Sequence, residues 1–350
     1  MPKSVLRRGL EGFHPYVPGE QPPDAEGWIK LNTNESPLPP SPKVLDAIKQ
    51  AADESLRLYP SPTARPAREA IARHFGLDAS WVAVGNGGDE MIELCFRAFA
   101  GPGETVAFPT PTYPLFEPLC RIHAVEPSRH ETEDFSALPA SLDLDPSRLK
   151  FIVNPNSPTG ALFHAKHVEN VVASSSGVVV IDEAYVDFAH RSAVDLLKRY
   201  ENVMLLRTFS KSYSLAGMRI GFALGSPDLV EALDAVKDSY NLDRLAIVAA
   251  VAAIGDESHH QKIVEEVVEN RTELAAGLEE LKFVVSPSSA NFVFVQPPMG
   301  TSALRLSSAL RERKILVRHY DREPIAGWIR VTVGTKEQHE ALLAALKEIV

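Results

Sequence analysis

A chain of 350 residues is too long for one small core and suits two domains of ordinary size. Hydrophobic residues make up 45% and charged residues 23%, the profile of a soluble globular protein. The formal net charge of −10 argues against a nucleic-acid partner, because phosphate backbones are held by clustered Lys and Arg. The first forty residues are rich in proline and polar groups without a sustained period, which predicts an arm lying on the body or on a partner subunit. A helix is predicted from Ser41-Pro42, with Val44, Leu45, Ile48 and Ala52 on one face. A second starts near Pro66, a residue suited to a first helical position, and runs to His74.

Short apolar strands then alternate with helices. Strands are predicted at Trp81 to Val84, Thr105 to Phe108, Phe151 to Val153, Val178 to Ile181, Val203 to Leu206 and Ile220 to Leu224. The first is followed by Gly85-Asn86-Gly87-Gly88 and a helix from Glu90 to Phe99, in which Cys95 reads as a buried thiol. Such runs, several separated by helices, indicate an α/β fold with a mostly parallel sheet covered on both faces. A helical region extends from Pro227 to about Leu281, with a break near Gly255-Asp256. The remainder reads as strand (Asn291 to Val295), helix (Ser302 to Arg313), strands (Ile315 to Val317 and Trp328 to Val333) and helix (Lys336 to Ile349), a smaller α+β unit. The expected division is 1–40 for the arm and part of the small domain, 41–275 for a large domain and 276–350 for a small one.

Two cysteines, Cys95 and Cys120, offer no disulfide framework. No apolar run is long enough to span a bilayer and no signal-peptide core follows the start, so the expected location is the cytoplasm. The eleven histidines show no metal-ligand spacing, and no metal site is expected.

The chemistry concentrates in Thr208-Phe209-Ser210-Lys211-Ser212-Tyr213-Ser214-Leu215-Ala216-Gly217, followed by Met218-Arg219-Ile220-Gly221. A lysine beyond a strand end, among small hydroxyl residues, approaches a ligand unobstructed, and nearby cations favour its free base, which can attack an aldehyde. Ser210 and Arg219 can hold a phosphate. A lone lysine in a serine-rich loop is usually just solvated; the full string argues otherwise.

This segment resembles the cofactor-lysine signature of fold-type I, pyridoxal-phosphate-dependent aminotransferases. The resemblance implies Lys211 carrying pyridoxal 5′-phosphate as a Schiff base, within a large domain built on a seven-stranded sheet. Gly85 to Glu90 joins a strand to a helix, where backbone amides make an anion cup; by resemblance Gly88 and Asp89 contact the cofactor phosphate. Asp182, after Val178 to Ile181, is aimed by this likeness at the pyridine nitrogen, keeping it protonated; judged alone it would as readily cap a helix. Tyr185 is expected on the ring's phenolic oxygen, and Tyr113 stacked on the ring. Tyr59 matches a tyrosine that reaches across a dimer interface to the phosphate, which implies a homodimer. In Asn154-Pro155-Asn156-Ser157-Pro158-Thr159-Gly160 the sequence departs from the family's Asn-Pro-Thr-Gly loop: Ser157 stands where asparagine donates to the phenolic oxygen. Either Ser157 or Asn156 fills that role.

Phe13-His14-Pro15-Tyr16-Val17-Pro18-Gly19, Ile315 to Tyr320 and Ile329 to Thr335 are similar to segments of the histidinol-phosphate aminotransferases, a likeness covering nearly the whole chain. It implies ping-pong exchange between histidinol phosphate with 2-oxoglutarate and imidazole-acetol phosphate with glutamate. Arg330 would pair with carboxylate or phosphate in turn, with Arg318 and Tyr16 adding donors. Aromatic amino-acid aminotransferases and threonine-phosphate decarboxylases share the Lys211, Asp182 and Arg219 features. A nicotinamide-dependent dehydrogenase is disfavoured, because Glu90 stands at the third glycine of its fingerprint and the lysine segment is left unexplained.

Overall fold

Alternation at period two explains the larger sheet. The computed structural model describes residues 5–22, 27–132 and 134–350. In chain order the strands are β1 (Ile29–Lys30), β2 (Val82–Gly85), β3 (Thr105–Thr110), β4 (Glu126–Glu131), β5 (Leu149–Val153), β6 (Val178–Asp182), β7 (Val203–Thr208), β8 (Gly221–Gly225), β9 (Val284–Ser286), β10 (Phe292–Gln296), β11 (Ile315–Leu316), β12 (Arg318–His319) and β13 (Ile329–Thr332). The helices are α1 (Pro42–Ala51), α2 (Arg65–Phe75), α3 (Gly88–Phe99), α4 (Phe116–His123), α5 (Ala165–Ser174), α6 (Pro227–Val236), α7 (Arg244–Ile254), α8 (Glu257–Glu280), α9 (Ala303–Glu312) and α10 (Lys336–Ile349).

Among the described residues seven strands make the large sheet, in the order β2-β8-β7-β6-β5-β3-β4, with β8 alone antiparallel to its neighbours β2 and β7. Val179, Ile181, Val203 and Leu205 join a core containing Ile71, Val171 and Ala249 from α2, α5 and α7. The intervening Val180, Met204 and Leu206 face a second core with Met91, Phe116 and Leu233 from α3, α4 and α6. Successive side chains point to opposite faces, so apolar runs this continuous require helices on both sides.

A four-stranded antiparallel sheet, β12-β13-β10-β9, packs Val293 and Val331 against Leu278, Leu310 and Leu346 from α8, α9 and α10. The parallel pair β1–β11 fastens the end of the arm to this unit. Earlier in the arm, Arg318 donates to Val17 O at 2.8 Å and Pro18 O at 3.1 Å, so this segment lies on the body of its own chain.

Several boundaries differ from expectation by a residue or two, as helix and strand ends do. Trp81 falls in a 3-10 turn whose start is capped by Asp78, so the first strand begins at Val82. The predicted strand Ile315 to Val317 is two short ones in separate sheets. The helical region after Pro227 has a second break, between α6 and α7. There Asn241 Nδ2 donates to Val84 O at 3.2 Å and Glu90 Oε2 at 2.9 Å, drawing the chain off its helical path, and Asp243 caps α7 by accepting from Ala246 N.

Candidate active site

The register across the large sheet gathers the strand ends. Gly85 lies opposite Gly221, Gly221 opposite Thr208, Leu206 beside Asp182, and Asp182 beside Val153. The carboxyl ends of β2, β5, β6 and β7 therefore open at one edge, where open α/β sheets bind ligands. A cavity of about 500 Å³ lies there, lined from the large sheet by Gly88, Asp89, Tyr113, Ser157, Asp182, Tyr185, Ser210, Lys211 and Arg219. Tyr16 of the arm and Arg318, Tyr320 and Arg330 of the small unit complete it.

At one end, α3 begins at Gly88 behind Gly87, whose φ of 88° only glycine adopts freely. A Cβ on Gly221 would meet Gly87 C at 2.5 Å and Gly88 N at 2.8 Å, so β8 approaches this turn more closely than a side chain permits. Glu90 serves the turn locally, since its Oε2 accepts from the Asn86 amide and from Asn241 Nδ2 and so holds the backbone in place. Arg219 Nη2 lies 3.4 Å from Asp89 Oδ2, and Tyr113 Oη donates to Asp89 Oδ1 at 2.9 Å. The Ser210 amide donates to Thr208 Oγ1 at 3.1 Å, turning the chain where β7 ends. The start of α3, the Ser210 hydroxyl and the Arg219 guanidinium thus line one end of the cavity, a set suited to a phosphate dianion.

Lys211 is half-buried, with Nζ 3.4 Å from Thr33 O. Burial, and then the charge of Arg330, lower its amine to about 8. Asp182 is buried, and its carboxylate Oδ1 accepts from Ala184 N at 3.0 Å. Burial raises its carboxyl to about 7, with the charges of Asp89 and Glu183 adding to the rise and that of Lys211 opposing it. Tyr185 Oη accepts from Asn34 Nδ2 at 3.0 Å, and burial holds its hydroxyl above the ordinary range while Arg330 works the other way.

Arg330 Nη1 donates to Ser157 Oγ at 3.3 Å and Nη2 to Asn32 O at 3.0 Å, while Nε is buried with no partner among the described residues. Both terminal nitrogens of Arg318 are engaged by the arm carbonyls, and the Tyr16 ring meets Tyr113 edge-on at 5.7 Å. Of the two loop candidates, Ser157 lines the cavity, whereas Asn156 Nδ2 is committed to Pro111 O and Thr159 Oγ1 at 3.0 and 2.9 Å. Tyr59 lies elsewhere on this chain, 78% exposed and stacked on Tyr240 at 4.5 Å.

The Asn32-Thr33-Asn34-Glu35 turn and Tyr320 also line the cavity and were not anticipated. The available signal was Asn34 itself, a residue that tolerates the left-handed region and here has φ 55°.

This fold, with a lysine, a buried aspartate and arginines gathered at the strand ends, is that of the fold-type I transferases. The family model for aminotransferase class I and II matches residues 26–346, and the chain belongs to that family. Among its relatives is histidinol-phosphate aminotransferase of Citrifermentans bemidjiense, 42% identical over 99% of this chain and 98% of that protein. Another, histidinol-phosphate aminotransferase of Acetobacter pasteurianus, is 46% identical over 96% of this chain and 95% of its own length. The crystal structure of the Sinorhizobium meliloti histidinol-phosphate aminotransferase in complex with pyridoxal-5′-phosphate superposes with a TM-score of 0.84, at 26% identity and 92% coverage of both chains.

Proposed function

We propose that this protein is a pyridoxal-phosphate-dependent aminotransferase exchanging the amino group of histidinol phosphate with 2-oxoglutarate, by ping-pong turnover at Lys211. The observation that carries the reading is one cavity lined by both a lysine whose amine is lowered to about 8 and a buried aspartate whose carboxyl is raised to about 7. The cofactor suits both: bound there, it would supply an aldehyde for the amine and a basic ring nitrogen for the carboxylate.

In this reading Gly88 and Asp89 amides, Ser210 and Arg219 hold the phosphate. Tyr113 would pack on the ring, and Tyr185 with Ser157 in preference to Asn156 would hold the phenolic oxygen. Asp182 keeps the ring nitrogen protonated. Lys211 Nζ moves the proton off the substrate α-carbon. Arg330 pairs with the glutamate carboxylate or the substrate phosphate, its unpartnered Nε supporting an anion there. Arg318 acts chiefly by holding the arm, and with it Tyr16, at the cavity mouth.

The reading extends to a homodimer in which Tyr59 reaches the neighbouring subunit's cofactor phosphate. Its exposure beside exposed Leu56 and Leu58 supports a covered face. A division near residues 40 and 275 into arm, large and small domains accords with the two sheets. Among the described residues no helix is long and apolar enough to cross a membrane, and the cytoplasm is the proposed location. The test is borohydride reduction with pyridoxal phosphate and peptide mapping, then kcat/KM for histidinol phosphate against phenylalanine. Label on Lys211 and faster turnover of histidinol phosphate are expected; faster phenylalanine turnover would reverse the substrate choice.

A further inference from the structure

The two residues after Lys211 are gripped by side chains outside the cavity lining. Ser212 Oγ donates to Asp187 Oδ2 at 2.5 Å, and His260 Nε2 lies 3.3 Å from the same oxygen. The His260 ring stacks on Tyr213 with centroids 4.2 Å apart. On its other oxygen Asp187 accepts from Arg207 Nη1 at 3.3 Å, and Arg207 Nε donates to Glu183 Oε2 at 3.0 Å. Glu183 directly follows Asp182, and Asp187 stands two residues beyond Tyr185. One hydrogen-bonded set therefore connects the segment bearing Asp182 and Tyr185 to the loop bearing Lys211.

We propose that Asp187 is the positioning residue for Lys211, fixing the lysine loop through Ser212 against the segment that carries Asp182 and Tyr185. This rests on the reading of Lys211 as the cofactor-bearing amine. Asp187 suits that role because one carboxylate binds three separate segments: the Lys211 loop, β7 through Arg207, and α8 through His260. Burial alone would raise its carboxyl; the hydrogen bond with His260 and the Arg207 charge outweigh it and hold Asp187 ionised, at about 2. It therefore stays an acceptor at every pH at which Lys211 titrates. A displacement of about 1 Å at a reacting group costs on the order of a hundredfold in rate, so the anchor of the adjacent residue bears directly on turnover.

The test uses Ser212→Ala, which removes the tether and leaves the ion cluster whole, with Ser212→Thr and Asp187→Asn beside it. In cofactor-free protein, the pH midpoint for acylation of Lys211 is read by peptide mass spectrometry. The parent midpoint is expected near 8, set by burial and by Arg330, Asp89, Glu35, Arg219 and Asp182 around the amine. In Ser212→Ala a loosened loop solvates the amine, and the midpoint rises by about one unit. With cofactor, kcat falls about tenfold in Ser212→Ala and about a hundredfold in Asp187→Asn, with KM nearly constant; Ser212→Thr restores both readouts. Folded Ser212→Ala with the parent midpoint and parent kcat overturns the proposal even if Asp187→Asn fails to fold. Reduction of the parent that leaves Lys211 unlabelled removes the underlying reading, and the proposal with it.

Discussion

Asn34 Nδ2 donates to Tyr185 Oη at 3.0 Å, joining the arm to the end of the large sheet across 151 residues of sequence. The same asparagine donates its amide to Thr332 Oγ1 at 3.0 Å and accepts from Asn291 Nδ2 on its carbonyl at 3.0 Å. It thus pins together the arm, the large sheet and the small sheet. Replacing Asn34 with alanine keeps the backbone bonds but removes the one to Tyr185 Oη and the one that Oδ1 accepts from Thr332 Oγ1 at 3.2 Å; at about 1 kcal/mol each, with a left-handed backbone that alanine disfavours, the cost should be about 2–3 kcal/mol. Guanidinium denaturation measures this; an unchanged midpoint would mean the contacts contribute nothing to stability.

Asp182 predicts an unusual pH dependence of stability in cofactor-free protein. Its folded carboxyl is raised from 3.8 to about 7, so the native state binds more protons than the unfolded state in that window. Stability from this group is fully present below 3.8 and is lost as pH rises through about 7. At about 1.36 kcal/mol per unit the effect is at most roughly 4 kcal/mol. Asp182→Asn should remove this slope and raise the melting temperature at pH 8 while lowering turnover at least about a hundredfold. Pyridoxal phosphate should flatten the slope in the parent, because a ring cation restores the charged carboxylate. A parent slope identical with and without cofactor would disprove the pairing.

Gly221 tests the phosphate cup from behind. An added methyl would strike the Gly87–Gly88 backbone within 3 Å, and backbone cannot move aside as a flexible side chain can. Gly221→Ala should destabilise the fold by about 1–3 kcal/mol. Displaced amides should weaken pyridoxal phosphate binding by at least about tenfold, at roughly 1.4 kcal/mol for each factor of ten. Fluorescence titration of the cofactor provides the check, and parent-like affinity would place the phosphate elsewhere.

Arg330 offers a planar fork, and lysine a point charge. Arg330→Lys should lower kcat/KM about ten- to a hundredfold for glutamate and for histidinol phosphate alike, since charged hydrogen bonds contribute about 1.5–3 kcal/mol. Steady-state kinetics with each substrate decide the matter. Loss confined to one of them would assign the two anions to separate groups.

The buried strands Val178–Asp182 and Val203–Thr208 were legible in the sequence because helices on both faces force apolar runs, and such runs need no partner to be recognised. So was the lysine segment, whose residues are contiguous. Strand Glu126–Glu131 escaped: it lies at the sheet edge with only His130 buried, so its polar residues carry no periodic signal. The break at 237–243 escaped because Asn241 leaves the helix for partners at Val84 and Glu90, far away in sequence. Local composition thus determined six of the seven strands, their order along the chain and the lysine segment. Tertiary structure alone put Ser157 on the cavity wall, brought Asn34 to Tyr185 and turned Arg318 onto the arm. Those outcomes depend on hydrogen bonds between groups brought together only when the chain closes on itself, and no local spacing encodes them.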